Sequence, residues 1–246
     1  MKFLIANLVF ISLSLSQVGD SLFQLGNYYY ENQQYKKAVI SFEQLEENFT
    51  HEYLYLNLGN SYYRTGELGN AVWAYEKAYS ISPRDQDIIY NLNFVRSQLK
   101  DKIIQPDFFF IFSLYKSVLN KITILDIIIF SGLLFFSIST FYLVNAYLFV
   151  YKMIKTIFNY TIIIALACLI LISFDKYFSI SDINEGIIIT PSVNVRSAPI
   201  ERGENIIFRI HEGTKTKISI SEPDWYEIIL LDGKKGWIKN KNMRKL

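Results

Sequence analysis

Side chains that commonly perform chemistry are sparse in this chain of 246 residues, which has two histidines and one cysteine. His51 lies in a loop between two helical patterns and His211 in a strand-like run, and neither has a cysteine or second histidine at metal-site spacing. No nucleophile motif, phosphate loop or paired-glycine dinucleotide motif occurs. The sequence therefore predicts no catalytic residue, no cofactor, no metal site and no enzymatic activity.

The remaining reactive or charged groups also have simple interpretations. Cys168 lies inside an apolar run, where a lone thiol is most often a small apolar filler. Asp126 and Asp175 lie at the margins of two apolar runs, and we interpret them as solvated at a membrane interface, with an ion or proton path as the alternative. A net charge of +2 provides no electrostatic footprint for nucleic acid.

Two apolar runs organise the rest of the chain. The first, residues 127–151, has Asn145 as its only strongly polar side chain, and the second, residues 157–174, contains no charge. Helices of these lengths can cross a hydrocarbon core of about 30 Å. Because few residues separate the runs, residues 122–176 are predicted to form a transmembrane helical hairpin with both outer ends on one side.

The N-terminus predicts the orientation of this hairpin. Residues 1–16 hold one lysine, an apolar stretch and small serines before a cleavage point, which is typical of a signal peptide. An uncleaved anchor is the alternative, and either would export the segment that follows. Lys152 and Lys155 then lie in the inner turn, as the positive-inside rule favours. We predict a multi-pass protein of the cytoplasmic (inner) membrane with both soluble domains on the outer, periplasmic side.

Residues 17–102 contain two copies of one helical pattern. Leu25-Gly26 marks the first copy and Leu58-Gly59 the second, and a tyrosine follows each pair. Small residues recur where two amphipathic helices would cross, at Gly26, Ala38, Gly59, Ala71 and Ala78. The pattern resembles the tetratricopeptide repeat, which implies an all-α solenoid that binds partner proteins. A further helix, Asp87 to about Lys102, has no partner helix and is predicted to cap the solenoid.

Counting from the Leu-Gly pairs predicts which residues line the concave face of this solenoid. The partner-binding candidates are amides and tyrosines on the first helix of each repeat and on the cap: Asn27, Tyr30, Asn57, Asn60, Tyr63 and Tyr90. An asparagine amide both donates and accepts, so it can hold the backbone of an extended peptide. The alternative is that these residues merely suit an exposed helix surface.

Residues 103–121 lead from the repeats to the first apolar run. They combine a proline with several aromatic residues and lysines, which is typical of the membrane–water interface. Their apolar core is too short for a third span, so we predict an interfacial linker.

Between residues 183 and 246 the apolar pattern alternates instead. Five or so short strand-like runs are bounded by Gly and Pro, and Asp232-Gly233 predicts a hairpin turn. The segments VNVRSAP, DWYEI and GKKGWIK resemble the bacterial SH3 domain, which implies an all-β SH3-like small barrel. Trp225 and Tyr226 are the candidate ligand platform, or else they plug the barrel, which is the role we expect of Trp237.

The fold class is thus a multidomain membrane protein with a tetratricopeptide solenoid, a transmembrane hairpin and an SH3-like barrel. This order resembles the BatE-type proteins, which are encoded with von Willebrand factor A proteins in the aerotolerance operon. The segment YNLNFVRSQLKDK, residues 90–102, is similar to the end of that family's repeat region. The resemblance implies an envelope scaffold for partners such as the von Willebrand factor A type Bat proteins. The alternative is a cell-wall protein whose SH3-like domain binds peptidoglycan.

Overall fold

The computed structural model describes residues 19–102, 109–148, 151–181 and 184–246. The predicted signal peptide and the first part of the predicted interfacial linker lie outside the described residues. The helical repeats and the C-terminal sheet together form one compact unit, and the described residues between 108 and 183 form a second.

The solenoid, which we define as residues 19–102, is built from five helices. They are α1 at 19–31, α2 Tyr35–Glu46, α3 Glu52–Thr65, α4 Leu68–Ile81 and α5 Gln86–Gln98. α1 and α2 form the first repeat, α3 and α4 form the second, and α5 is the predicted capping helix. We call the side formed by α1, α3 and α5 the first-helix face, and the side formed by α2 and α4 the second-helix face.

Small residues allow the helices of each pair to cross closely, as predicted. A Cβ atom at Gly59 would lie 2.6 Å from the ring of Tyr75, and one at Gly26 would lie 2.5 Å from the ring of Phe42. Ala38, Ala71 and Ala78 are fully buried in the same cluster. The aromatic rings of the second helices therefore fill the space that the missing side chains leave.

His51 contributes to a helix end rather than to a reactive site. Its Nδ1 accepts a hydrogen bond from the backbone N–H of Tyr53 at 3.2 Å, which caps the start of α3. Asp85 caps α5 in the same way by accepting from the backbone N–H groups of Asp87 and Ile88.

The C-terminal region, residues 184–246, is an antiparallel sheet of seven strands rather than about five. The strands are β1 Glu185–Ile188, β2 Ser192–Arg196, β3 Ile206–His211, β4 Lys215–Ser221, β5 Trp225–Leu230, β6 Lys235–Lys239 and β7 Met243–Lys245. Their order in the open sheet is β3-β2-β6-β5-β4-β1-β7, which fits a small barrel-like or SH3-like domain. Gly233 has φ +87° in the tight β5–β6 turn, as the Asp-Gly pair predicted. We call this region the SH3-like module.

The core of the SH3-like module is aliphatic. Ile188, Val195, Ile228 and Ile238 are fully buried in it. Trp237 is half-buried and neighbours Ile238 on β6, so the two side chains point to opposite faces of the sheet. The expectation that Trp237 plugs the core is therefore wrong, because Ile238 occupies that side of the strand.

The described residues of the second unit form three helices, α6 Phe110–Lys121, α7 Ile124–Tyr147 and α8 Lys152–Ser181. Two helical segments, Ile124–Tyr147 and Lys152–Phe178, are long and apolar enough to cross a membrane by length and composition, with mean hydropathies of 2.2 and 2.4. α8 begins at Lys152, so Lys152 and Lys155 lie in the first turn of this helix rather than in the connection that precedes it.

Specific contacts join the helices of this second unit. The rings of Phe141 and Phe158 stack with centroids 3.6 Å apart, and the hydroxyl of Tyr142 donates to Asn159 Oδ1 at 3.1 Å. Asp126 forms a capping box with Thr123 at the start of α7. Asp175 accepts a hydrogen bond from Tyr115 of α6 at 2.8 Å. Both carboxylates thus have identifiable structural roles.

Candidate functional site

Amide pairs join neighbouring helices across the first-helix face. Asn57 Nδ2 of α3 donates to Asn27 Oδ1 of α1 at 2.9 Å, and Asn91 Nδ2 of α5 donates to Asn60 Oδ1 of α3 at 3.4 Å. The pairs occupy corresponding positions in successive repeats. The asparagines chosen from the sequence are therefore brought together, and part of their hydrogen-bonding capacity holds the repeats in register.

Asn60 is also tied to the interior of the second repeat. The hydroxyl of Tyr75 on α4 donates to Asn60 Oδ1 at 2.7 Å. Burial raises the pKa of Tyr75, so its phenol keeps the proton that it donates. Asn60 is therefore a structural residue as well as a candidate contact residue.

Three aromatic rings form a patch at the α5 end of the first-helix face, and we call Tyr63, Tyr90 and Phe94 the aromatic patch. Tyr90 is 69% exposed and stacks on Phe94, which is 43% exposed, with ring centroids 6.2 Å apart. Tyr63 meets Phe94 edge-on at 5.6 Å and accepts a hydrogen bond from Gln98 Nε2 at 3.2 Å. Exposed aromatic side chains that are already held in place are common in protein interfaces.

Tyr30 belongs to a separate ring pair near α1. Its ring meets Tyr35 edge-on at 5.3 Å, and the Arg64 guanidinium lies over the other ring of that pair, Tyr35, at 4.7 Å. Burial raises the pKa of Tyr30. The structure therefore divides the predicted residues into amide pairs, an aromatic patch and this separate tyrosine.

The two residues of the candidate SH3-like platform point in different directions. Trp225 lines a groove of about 470 Å³ with Ile200 and Lys239, and the Lys239 ammonium lies 5.8 Å from the indole centroid. Tyr226 packs instead against the aliphatic core, with Lys245 Nζ 4.8 Å from its ring. Because successive strand residues face opposite sides, Trp225 lines the groove without its neighbour.

The SH3-like module packs on the second-helix face of the solenoid, and sequence reasoning missed this interface. Trp73 of α4 is 2% exposed and donates from Nε1 to the carbonyl of Lys245 at 2.7 Å. The guanidinium of Arg244 lies 3.6 Å from the centroid of the Trp73 ring. It also donates to the Tyr62 hydroxyl at 2.8 Å and to Glu46 Oε2 at 3.0 Å. One arginine thus makes stacked, charged and neutral contacts with the solenoid.

A second group of charges lies nearby at the same interface. Glu76 of α4 is 6% exposed and accepts hydrogen bonds from Arg96 of α5 and from Lys215 Nζ of β4, the latter at 3.2 Å. Lys215 also pairs with Glu185 at 2.9 Å. Burial lowers the pKa of Lys215, but the two carboxylates raise it by more, so the pKa lies above its usual value.

Asp101, which follows α5, binds the turn between β3 and β4. Its Oδ2 accepts from the backbone N–H of His211 at 2.6 Å and from the Thr214 hydroxyl at 3.1 Å, and its Oδ1 lies 2.9 Å from His211 Nδ1. Burial raises the pKa of Asp101, but these hydrogen bonds lower it by more, so the pKa lies below its usual value. His211 thus contributes to interdomain packing.

One feature of the sequence could have indicated the interface. Trp73 lies two positions after Ala71, about 200° around a helix, so it lies on a different side of α4 from Ala71, although its ring also meets that of Tyr55 of α3 edge-on, with centroids 5.9 Å apart. A large aromatic side chain on the outward side of an amphipathic helix predicts a further neighbour. That neighbour is a strand more than a hundred residues later in the chain, and no local sequence pattern identifies it.

Among the described residues, no group of three or more His, Cys, Asp or Glu side chains could hold a metal ion.

Comparison with known proteins covers the repeats. The tetratricopeptide repeat family model matches residues 19–47 and 53–85, which are the two helix pairs of the solenoid. No curated protein matches the chain. Residues 19–47 and 53–85 are therefore two tetratricopeptide repeats, a helical scaffold for protein–protein interaction.

Proposed function

We propose that this protein is a non-enzymatic, membrane-anchored envelope scaffold that binds a partner protein through the first-helix face. The exposed aromatic patch carries the proposal. Tyr90 and Phe94 present stacked rings to solvent on the first-helix face, whereas the SH3-like module covers α2 and α4 on the second-helix face. Large aromatic residues commonly supply the few contacts that dominate binding energy in an interface.

Removing the exposed ring of Tyr90 tests this proposal. Tyr90→Ala should weaken binding of a co-purified partner by roughly 30-fold, since an interface hot spot contributes about 2 kcal/mol and each 1.4 kcal/mol is tenfold. Tyr53→Ala is the matched control, because Tyr53 is also exposed but packs beside His51 at the start of α3. Equal binding by both variants would move the partner site away from the aromatic patch.

The membrane proposal rests on the second unit and on the domain interface. Helices α7 and α8 have the length and hydropathy of two spans, and an even number of crossings returns the chain to the side that it left. Packing of Arg244 on Trp73 supports a topology in which the solenoid and the SH3-like module lie on the same side. The signal-peptide pattern of residues 1–16 favours the outer, periplasmic side.

Reporter fusions test this topology. Alkaline phosphatase, which is active only after export, should be active when fused after Lys102 and when fused after Leu246. One active and one inactive fusion would contradict the paired crossings. Two inactive fusions, in cells that export other proteins normally, would indicate that both modules lie on the cytoplasmic side.

The identity of the partner rests on resemblance. The order of modules is similar to that of the BatE-type proteins, so we propose a von Willebrand factor A type Bat protein as the partner in a membrane complex. The groove beside Trp225 favours a second candidate function, peptidoglycan binding or sensing through the SH3-like module. Sedimentation with purified sacculi, compared between wild type and Trp225→Ala, discriminates between the two functions. If the variant no longer sediments but still binds the partner, the result supports peptidoglycan binding.

A further inference from the structure

We propose that the binding target of the SH3-like module is the solenoid itself, and that this module is an intramolecular buttress without which the two repeats do not hold their shape. The module docks on α2 and α4, which are not part of the proposed partner-binding face. It assigns the second-helix face an occupant, residues 184–246 of the same chain.

Apolar packing across the interface is continuous with the solenoid core. Ile187 of β1 is 0% exposed and belongs to the buried cluster of the solenoid rather than to that of its own sheet. Leu246 packs against the same cluster. Gly69 of α4 approaches β1 so closely that a Cβ there would lie 2.6 Å from the carbonyl oxygen of Ile188. The two cores therefore meet without an intervening polar layer at these points.

Charged contacts surround this apolar centre. Arg244 lies against Trp73 and pairs with Glu43 and Glu46 of α2, so one residue of β7 joins the second helices of both repeats. The backbone N–H of Gly69 donates to Glu212 Oε2 at 3.0 Å. An arginine that stacks on a ring and pairs with two carboxylates specifies one docking geometry better than a lysine would.

The length of the solenoid explains why such a buttress is needed. Stacked repeats bury their hydrophobic faces against neighbours, and about three repeats are usually required for stability. Among residues 19–102, the two repeats are followed by α5 alone, without a second helix to complete a third repeat. β1 and the β3–β4 turn supply neighbours for α4 and for the residues after α5, through Ile187 and Asp101.

Hydrogen exchange on the full chain in detergent micelles tests the proposal. Arg244→Ala removes the contacts of this arginine with Trp73, Glu43 and Glu46 of the solenoid. Amide exchange in α2 and α4 should therefore become about tenfold faster or more. Arg209→Ala is the matched control, because Arg209 donates to Asn194 within the SH3-like module and should leave α2 and α4 unchanged. Protection of β5 and β6 in both variants verifies that the sheet remains folded.

A second variant approaches the interface from the solenoid side. Gly69→Ala adds helix propensity to α4, so on local grounds it should slow exchange there. If the SH3-like module stabilises the solenoid, amide exchange in α4 should instead become faster, because the new Cβ collides with the backbone of Ile188 and separates the modules. Faster exchange in α2 and α4 in both Gly69→Ala and Arg244→Ala supports the proposal. Unchanged or slower exchange in either variant overturns it.

Discussion

The two faces of the solenoid use similar side chains for different purposes. On the first-helix face, amides pair with each other between neighbouring helices, and the aromatic patch remains exposed. On the second-helix face, Trp73 and Glu76 are buried by residues from a module that follows more than eighty residues later in the chain. A short solenoid can therefore bury one face against another module of the same chain and leave the other face exposed to solvent.

The largest expected effect comes from the covered face. Trp73→Ala should destabilise the chain by about 3–5 kcal/mol, because it creates a cavity in the solenoid and removes the ring that Arg244 and Lys245 contact. Thermal unfolding in detergent, followed by circular dichroism, measures the loss. Trp225→Ala deletes the same side chain from the half-buried groove and should cost much less. Equal losses of stability in the two variants would contradict the prediction that Trp73 contributes more through its position in the interface.

A pH-dependent effect of intermediate size is expected at Asp101. Because its folded-state pKa lies below its ordinary value of 3.8, its contribution is fully present above that value and is lost as the pH falls through the folded-state pKa. The stability difference between wild type and Asp101→Asn should therefore be constant near about pH 5 and shrink below about pH 4. Melting temperatures of both proteins across this range provide the measurement. A difference that does not change would indicate that the carboxylate charge contributes nothing to docking.

The smallest expected effect on stability lies on the open face. Tyr90→Ala removes one stacked pair with Phe94 and should cost less than about 1 kcal/mol. The same melting experiment measures it, beside the partner-binding assay. A loss of stability as large as that of Trp73→Ala would indicate that the aromatic patch is part of the core. The two faces of the solenoid would then not differ in their contribution to stability.

Much of the fold could be predicted because its patterns are local. The Leu-Gly pairs, the small crossing residues and the tyrosines between them identify the repeats, and the apolar runs identify α7 and α8. The Asp-Gly turn and the alternating runs identify the SH3-like module, although β7, with three residues, is too short to be recognised. Trp237 was assigned to the core incorrectly, since alternation alone does not tell which face of a strand is buried.

The candidate site was predicted less completely. Counting within a repeat placed the candidate residues on one face, where Asn57 donates to Asn27 and where Tyr63 and Tyr90 both contact Phe94. It did not predict that Asn60 is held by Tyr75, or that Tyr30 lies in a separate ring pair. Those contacts depend on where a second helix places its side chains.

Local sequence patterns identify the type of most elements, because helical repeats, long apolar helices and short strands are periodic within a few dozen residues. The interface shared by the solenoid and the SH3-like module, by contrast, is visible in the three-dimensional packing alone. Trp73, Glu76 and Asp101 meet Lys245, Lys215 and His211 across more than a hundred residues of sequence. No local periodicity relates such positions, since their proximity depends on how two separately patterned surfaces fit together.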